Sequence, residues 1–435
     1  MSTPESTDEI SVSRHVLRHL GARDAGDVHS LDAHLPRYHL LDAILGFEEH
    51  FPACGLRVEL RGTGGLKAKT PAGPTIHDLL NAGYKRFGTL GERTLRCAPG
   101  RARPVPTSCI WLVSEGEHAG VFWIVDGGYT VFVWGAVRCG RESEAWGRGL
   151  LERLRQRVRE ASVFRGHTCR PVAINVHHMD LAFVDGGARP PVQVAAPLQH
   201  ELEHAFLDFR LNRELLARHG IRVRRGLMLA GEPGTGKTST CRYLKQRLPD
   251  HTFFLVSAKL YGLLEGVFKT AARLAPAVVV IEDVDLIARS REAQGPSWVM
   301  GDLLNLLDGL EDRDDVSVVV TSNSWKFLER ALVDRPGRID HVITYGLPDA
   351  GERGRLLEAL AGKVELPPER EPLIELTDGL TPAQIEEVVD RAAVASLARE
   401  GAAAWSRRVT AGDVRLAVEA LRGRTSTARP RRISL

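Results

Sequence analysis

Residues 231–238, Gly-Glu-Pro-Gly-Thr-Gly-Lys-Thr, spell G-x-x-x-x-G-K-[ST], and the apolar run Gly226-Leu227-Met228-Leu229-Ala230 before them reads as a short buried strand. This spelling constrains the fold because each residue has a physical task. Gly231, Gly234 and Gly236 let the backbone enter positive-φ regions, so that successive N–H groups converge on one point and form an anion cradle. A helix expected over Thr238–Leu248 aims its positive dipole end at the same point. Lys237 is placed to reach β- and γ-phosphates, and Thr238 to put its hydroxyl on Mg²⁺. Glu232, Pro233, Thr235 and Ser239 complete the expected lining.

The residues around this loop alternate between strand-like and helix-like pieces. Leu227–Ala230, Phe253–Ser257, Val278–Ile281, Ser317–Thr321 and Val342–Tyr345 are short runs separated by helical spacing, and Val278-Val279-Val280-Ile281 is apolar throughout. Strands covered on both faces must look like this. The expectation is an α/β fold, a doubly wound parallel five-stranded P-loop sheet over 198–346 that opens with a helix at Leu198–His219. From Ala350 the strands stop, and Gly351–Leu360, Ala383–Arg399 and Ala411–Arg422 carry helical spacing. That predicts a helical lid over 347–422, followed by a basic tail at 423–435.

The first half of the chain has another pattern. Residues 1–30 are polar and read as a flexible tail, and 31–165 reads as an N-terminal α+β domain. Within it, Tyr38–Phe47 and Ile76–Phe87 suggest helices. Cys109–Val113, Val121–Val125 and Tyr129–Val137 suggest two successive antiparallel hairpins, and Ser143–Ala161 a further helix. The aromatic residues Trp111, Phe122, Trp123, Phe132 and Trp134 on those strands fill cores more often than they stack bases or grip a client. Residues 166–197, rich in Pro and Gly, read as a connector. His177-His178 near Asp180 invites a metal reading, but neighbours on a strand point to opposite faces.

Composition narrows the function classes. Among 435 residues the net charge is only +3, which does not argue for a nucleic-acid partner. Six cysteines without a C-x-x-C or Cys/His cluster argue against a zinc site or a disulfide framework, and so for a reducing compartment. No run approaches the roughly 18 apolar residues of a spanning helix, and the first residues are polar and acidic. A cytoplasmic protein without a membrane span is expected.

Val278-Val279-Val280-Ile281-Glu282-Asp283-Val284-Asp285 is an apolar strand that delivers carboxylates at its C-terminal end, where the phosphate loop also lies in such sheets. One carboxylate, Glu282, suits Mg²⁺; its neighbour Asp283 suits orienting or deprotonating an attacking water. The next strand ends in Asn323, a neutral amide able to position that water. Arg335-Pro336-Gly337-Arg338 carries two guanidiniums three apart, suited to bidentate phosphate binding, also in a neighbouring subunit.

In this order the phosphate loop, the acidic strand end, Asn323, the Arg-Pro-Gly-Arg turn and Gly379-Leu380-Thr381-Pro382-Ala383-Gln384-Ile385 resemble the AAA family of ATPases over about 198–420. The resemblance implies a homo-oligomeric ring, usually a hexamer, with ATP and Mg²⁺ at subunit interfaces. It implies Lys237 and Thr238 on nucleotide and metal, Arg335 and Arg338 as arginine fingers in trans, and Ala383 near adenine and ribose. Three residue choices depart from the family. Glu282-Asp283 stands where Asp-Glu is usual, Leu260-Tyr261-Gly262 only approximates an aromatic pore loop, and Pro382 replaces a glycine. Glu-Asp-Val-Asp, the short pore segment and a β-rich module before the ATPase are similar to the mitochondrial Rieske-protein translocase type of AAA protein. The expected function is an ATP-driven remodelling machine whose N-terminal domain selects a protein client. The rivals are a nucleic-acid-dependent loader or helicase, for which the basic helix Arg148–Arg159 is the one candidate surface, and a nucleotide-gated scaffold with weak hydrolysis.

Overall fold

The computed structural model describes residues 11–62, 80, 87–107, 109–175, 178–184, 194, 196–285, 315–323, 339–402 and 405–426. They form two compact units, Met1–Arg189 with Pro249–Val279 and Leu310–Ser317, and Pro190–Leu248 with Val280–Gly309 and Val318–Leu435. The helix expected at 76–87, apart from Leu80 and Phe87, the Arg335–Arg338 turn, His177 and the basic tail from 427 lie outside the described residues.

In the first unit, helix α1 (Val12–Leu20) leads into strand β1 (Val28–Pro36) and helix α2 (Leu40–Leu45). Strands β2 (Arg57–Gly62), β3 (Gly91–Ala98), β4 (Arg101–Thr107), β5 (Cys109–Glu115), β6 (His118–Asp126) and β7 (Thr130–Arg138) follow, and then helix α3 (Arg141–Glu160). An antiparallel sheet of five strands has the order β1-β7-β6-β5-β2, beside a separate β3-β4 ribbon. Both faces of this sheet are covered. Cys109, Trp111 and Val113 of β5 pack with Phe47, Leu150 and Leu154, whereas Ile110 and Leu112 pack with Val12, Val16 and Leu20 of α1. Alternating residues of one strand thus enter two cores, so β5 reads as a continuous apolar run. Trp111, Phe122 and Trp123 are buried core residues, and Phe132 and Trp134 are partly exposed.

Two expectations for the first half are corrected. Residues 12–30, read as part of a flexible tail, hold α1 and the first residues of β1; Ser11 caps α1 through its side chain and Gly21 ends it in a left-handed conformation. The segment read as a connector contains β8 (Thr168–Ala173) and β9 (Met179–Phe183), an antiparallel pair. β8 also pairs in parallel with β11 (Thr252–Ser257).

The sheet therefore has seven strands, not five, in the order β14-β10-β13-β12-β11-β8-β9. Its remaining members are β10 (Gly226–Gly231), β12 (Ala277–Glu282), β13 (Val316–Ser322) and β14 (His341–Tyr345). It is mostly parallel: β10 runs parallel to β13 and β14, and β8 to β11, with an antiparallel β8–β9 edge. β10, flanked by β13 and β14 in parallel register, is buried along its whole length. In the second unit helix α4 (Lys237–Arg247) follows the phosphate loop, as expected to within a residue. Helix α5 (Leu264–Arg273), after β11, belongs to the first unit. Helices α6 (Ala350–Leu360), α7 (Glu371–Leu376), α8 (Pro382–Glu400) and α9 (Ala411–Ser426) enclose their own core of Leu357, Leu373, Ile385, Val388 and Val414.

A buried polar cluster locks the first unit. Asp42, 1% exposed, accepts from Ser162 Oγ at 2.7 Å and Val163 N at 2.8 Å, and lies 2.8 Å from His39 Nδ1. A carboxylate so buried is tolerated only because every partner is in place. Asp42→Ala strands three of them. The change is expected to cost about 3–5 kcal/mol, and Asp42→Asn less, in urea unfolding followed by tryptophan fluorescence.

Candidate functional site

All site residues described below belong to the second unit. The phosphate loop leaves β10 and curls through Gly234 at φ 82° and Gly236 at φ 110° before α4 begins at Lys237. Lys237 is 6% exposed, and its Nζ donates to the carbonyls of Gly231 at 2.7 Å and Glu232 at 2.9 Å. Burial pulls its ammonium below the ordinary lysine range, and the charges of Asp283 and Asp285 oppose that pull. A desolvated cation beneath a curled loop is suited to phosphate oxygens, which carry the charge that carbonyls lack. Thr238 and Ser239, in the first turn of α4, are exposed.

At the end of β12 the chain turns sharply. Asp283 is one of few non-glycine residues with positive φ, at 52°, a conformation that aspartate tolerates better than most residues. Two contacts hold it there. Its N–H donates to Thr321 Oγ1 at 3.0 Å, and its Oδ1 accepts from Asn323 Nδ2 at 2.9 Å. The predicted base and the predicted water-positioning amide are thus brought together, with the amide on the carboxylate itself. Glu282 is half-buried, and its charge acts instead on Cys241 in α4, whose thiol burial has pushed up to about 12. Among the described residues no three His, Cys, Asp or Glu side chains converge on a metal position. A Mg²⁺ held by one carboxylate, the Thr238 hydroxyl and nucleotide phosphates needs no such cluster, because this ion usually keeps its waters and the substrate as ligands.

Two contacts that the sequence pattern did not indicate tie the loop to its surroundings. The Ala383 N–H donates to the Gly234 carbonyl at 3.1 Å, so the start of α8 sits on the loop. Thr381 and Gln384 form a capping box there, and Pro382 takes the first helical position, where its missing N–H costs nothing. On the other side, the Tyr345 and Thr240 hydroxyls meet at 2.6 Å, joining the end of β14 to α4. The T-x-x-Q spelling at 381–384 was the available signal for the first contact; nothing in the spacing points to the second.

The chain also spells H-E-x-x-H at His200–His204, a zinc signature when both histidines share one helix face. Here the α-helix gives way to a π-turn at Glu203–Leu207. Glu201 pairs with His341 at 2.8 Å, Glu203 with Arg247 at 3.1 Å, and His204, 80% exposed, with Asp208 at 3.4 Å. These pairings supply no third ligand, and the spelling builds no metal centre among the described residues.

Comparison with known proteins agrees with this geometry. The profile of the ATPase family associated with various cellular activities (AAA) matches residues 227–347. The Cell division cycle protein 48 homolog of Archaeoglobus fulgidus is 35% identical over 199 residues, 43% of this chain and 27% of that protein. The ATP-dependent zinc metalloprotease FtsH 3 of Sphaerobacter thermophilus is 31% identical over 228 residues, 49% of this chain and 45% of that protein. The 26S proteasome regulatory subunit 4 homolog of Saccharomyces cerevisiae is 31% identical over 222 residues, 47% of this chain and 49% of that protein. The chain thus matches between about a quarter and a half of each relative's length. It carries an AAA ATPase domain with the P-loop NTPase fold.

A Cβ at Gly234 would lie 2.9 Å from Ala383 Cβ and 3.0 Å from Thr381 Oγ1, on a backbone that β-branched residues avoid. Gly234→Val is expected to weaken binding of a fluorescent ATP analogue at least about tenfold, a shift of about 1.4 kcal/mol, with the circular dichroism spectrum unchanged.

Proposed function

We propose that the chain hydrolyses ATP with Mg²⁺ and uses the cycle to remodel a protein client. One observation carries the reading: in a single compact unit, the buried Lys237 ammonium lies in the field of Asp283, and Asn323 orients that same carboxylate. Lys237 draws on the β- and γ-phosphates, with the loop amides of 231–236 around them. Thr238 and Glu282 hold Mg²⁺. Asp283 takes the proton of the attacking water and Asn323 fixes its direction. Arg335 and Arg338 complete the site of a neighbouring copy in a homo-oligomeric ring, a hexamer, and Ala383 lies by adenine and ribose. The segment 31–165 selects the client, 198–346 is the large ATPase subdomain, 347–422 the lid, and the cytoplasm the setting. The likeness to the Rieske-protein translocase type extends to this architecture and leaves the client open. Among the described residues no helix is long and apolar enough to cross a membrane.

A second reading has its own support. Asp283 is a methylene shorter than the usual glutamate, and its carboxylate is engaged by Asn323 at 2.9 Å. A base so held suits a nucleotide-gated scaffold that turns over slowly. Single-turnover hydrolysis separates the two.

Asp283→Asn is expected to keep ATP affinity and to lower turnover at least about a hundredfold, the scale of a lost general base; unchanged hydrolysis would move that role elsewhere. Arg335→Ala alone should lose hydrolysis in a phosphate-release assay. Mixed with Lys237→Ala, it should recover part of it, because an interface that takes its loop from the Arg335→Ala copy and its arginine from the Lys237→Ala copy is intact. No recovery in the mixture would rule out a shared site.

A further inference from the structure

Asn323 lies one residue beyond the end of β13, so the strand ladder does not fix it. Its side chain nevertheless meets Asp283 at 2.9 Å, and something must hold its backbone. That partner is Asp285. The Asn323 N–H donates to Asp285 Oδ1 at 2.9 Å, and Ser322 Oγ donates to the same oxygen at 3.3 Å. Asp285 is 5% exposed, and Ser322 is fully buried. Together with the Asp283 N–H on Thr321, four hydrogen bonds join 283–285 to 321–323 in both directions.

We propose that Asp285 is a positioning residue for hydrolysis: it grips the main chain at 322–323 and thereby aims the Asn323 amide at Asp283. The inference rests on the hydrolysis reading above. It assigns Asp285 no contact with nucleotide or metal. Because both donors converge on one oxygen, what the site requires at 285 is an acceptor in that place. An asparagine presents such an oxygen, whereas an alanine removes the acceptor that the two donors share. Removing the grip frees the backbone of Asn323, and a displacement of about 1 Å at a positioning group is worth about a hundredfold in rate.

The test uses the full-length chain, steady-state ATP hydrolysis and titration with a fluorescent ATP analogue. Asp285→Ala is expected to lower kcat about ten- to a hundredfold, with nucleotide affinity within about threefold of wild type. Asp285→Asn should stay within about threefold of wild type in both measurements. The double variant Asp285→Ala/Asn323→Ala should turn over no more slowly than Asn323→Ala alone, since both changes remove one function. Three results overturn the inference: Asp285→Asn as slow as Asp285→Ala, which would make the negative charge the requirement; Asp285→Ala at wild-type kcat; or losses that multiply in the double variant. Should Asp285→Ala fail to fold by circular dichroism, Asp285→Asn decides alone, and a kcat drop beyond about tenfold in it overturns the proposal. If wild-type protein hydrolyses no ATP, the hydrolysis reading itself fails, an outcome distinct from active wild type with insensitive Asp285 variants.

Discussion

An ammonium ion buried at the start of a helix and carried by two main-chain carbonyls sets the terms for the second unit. Removing a lysine from water costs free energy unless donors and charges around it are satisfied. Lys237 meets that requirement through Gly231 and Glu232, which can turn their carbonyls onto it only because the loop doubles back. The doubled loop in turn needs residues without Cβ, and at Gly234 even a methyl group would strike Thr381 and Ala383. A fully buried β10 fixes one end of the loop and α4 the other, so the cation, the curl and the strand depend on one another.

That dependence explains which parts were legible in the sequence. The five strands predicted around the loop occur within about two residues of their expected ends, because strands covered on both faces leave unbroken apolar runs. β8 and β9 left no such run. Thr168–Ala173 contains Arg170 and Pro171 and is only partly buried, as strands toward a sheet edge can be. α1 did carry a signal, with Val12, Val16 and Leu20 at helical spacing between a serine cap and a terminal glycine, but these residues sit in an otherwise largely polar segment. β1 likewise alternates through Leu31, Ala33 and Leu35. What no spacing rule encodes is the reversal at Asp283, whose positive φ arises from hydrogen bonds to residues some forty positions away.

The acidic cluster illustrates the same point at the level of chemistry. In sequence, Glu282 and Asp283 look like a pair because they are adjacent. In the structure the charges that act on Lys237 are those of Asp283 and Asp285, and the charge of Glu282 acts on Cys241. The strand ends at Glu282 and the chain reverses at Asp283, so the two adjacent carboxylates leave it in different directions. The unusual Glu-Asp order therefore concerns groups in different surroundings, and the length of the Asp283 side chain matters mainly through what Asn323 permits it to reach.

The first unit shows how chain order and packing diverge. Residues 249–279, which follow the phosphate-loop helix in sequence, belong to the same compact unit as residues 1–189. One side chain accounts for much of that connection. Arg165, just beyond α3, donates from Nε to the Arg159 carbonyl at its own helix end, and from its guanidinium to the carbonyls of Arg273, at 3.0 Å, and Ala275 beyond α5. Two helix C-termini present partial negative charge and unsatisfied carbonyls, and a single planar cation with five donors answers both. Tyr38 adds a buried hydroxyl contact to Thr270 of α5 at 3.3 Å, and the Asp42 cluster anchors the chain at Ser162 and Val163. α5 leads through residues 274–276 into β12, whose first residues, 277–279, belong to this same unit, so the cation that closes two helix ends also holds the chain where that strand starts.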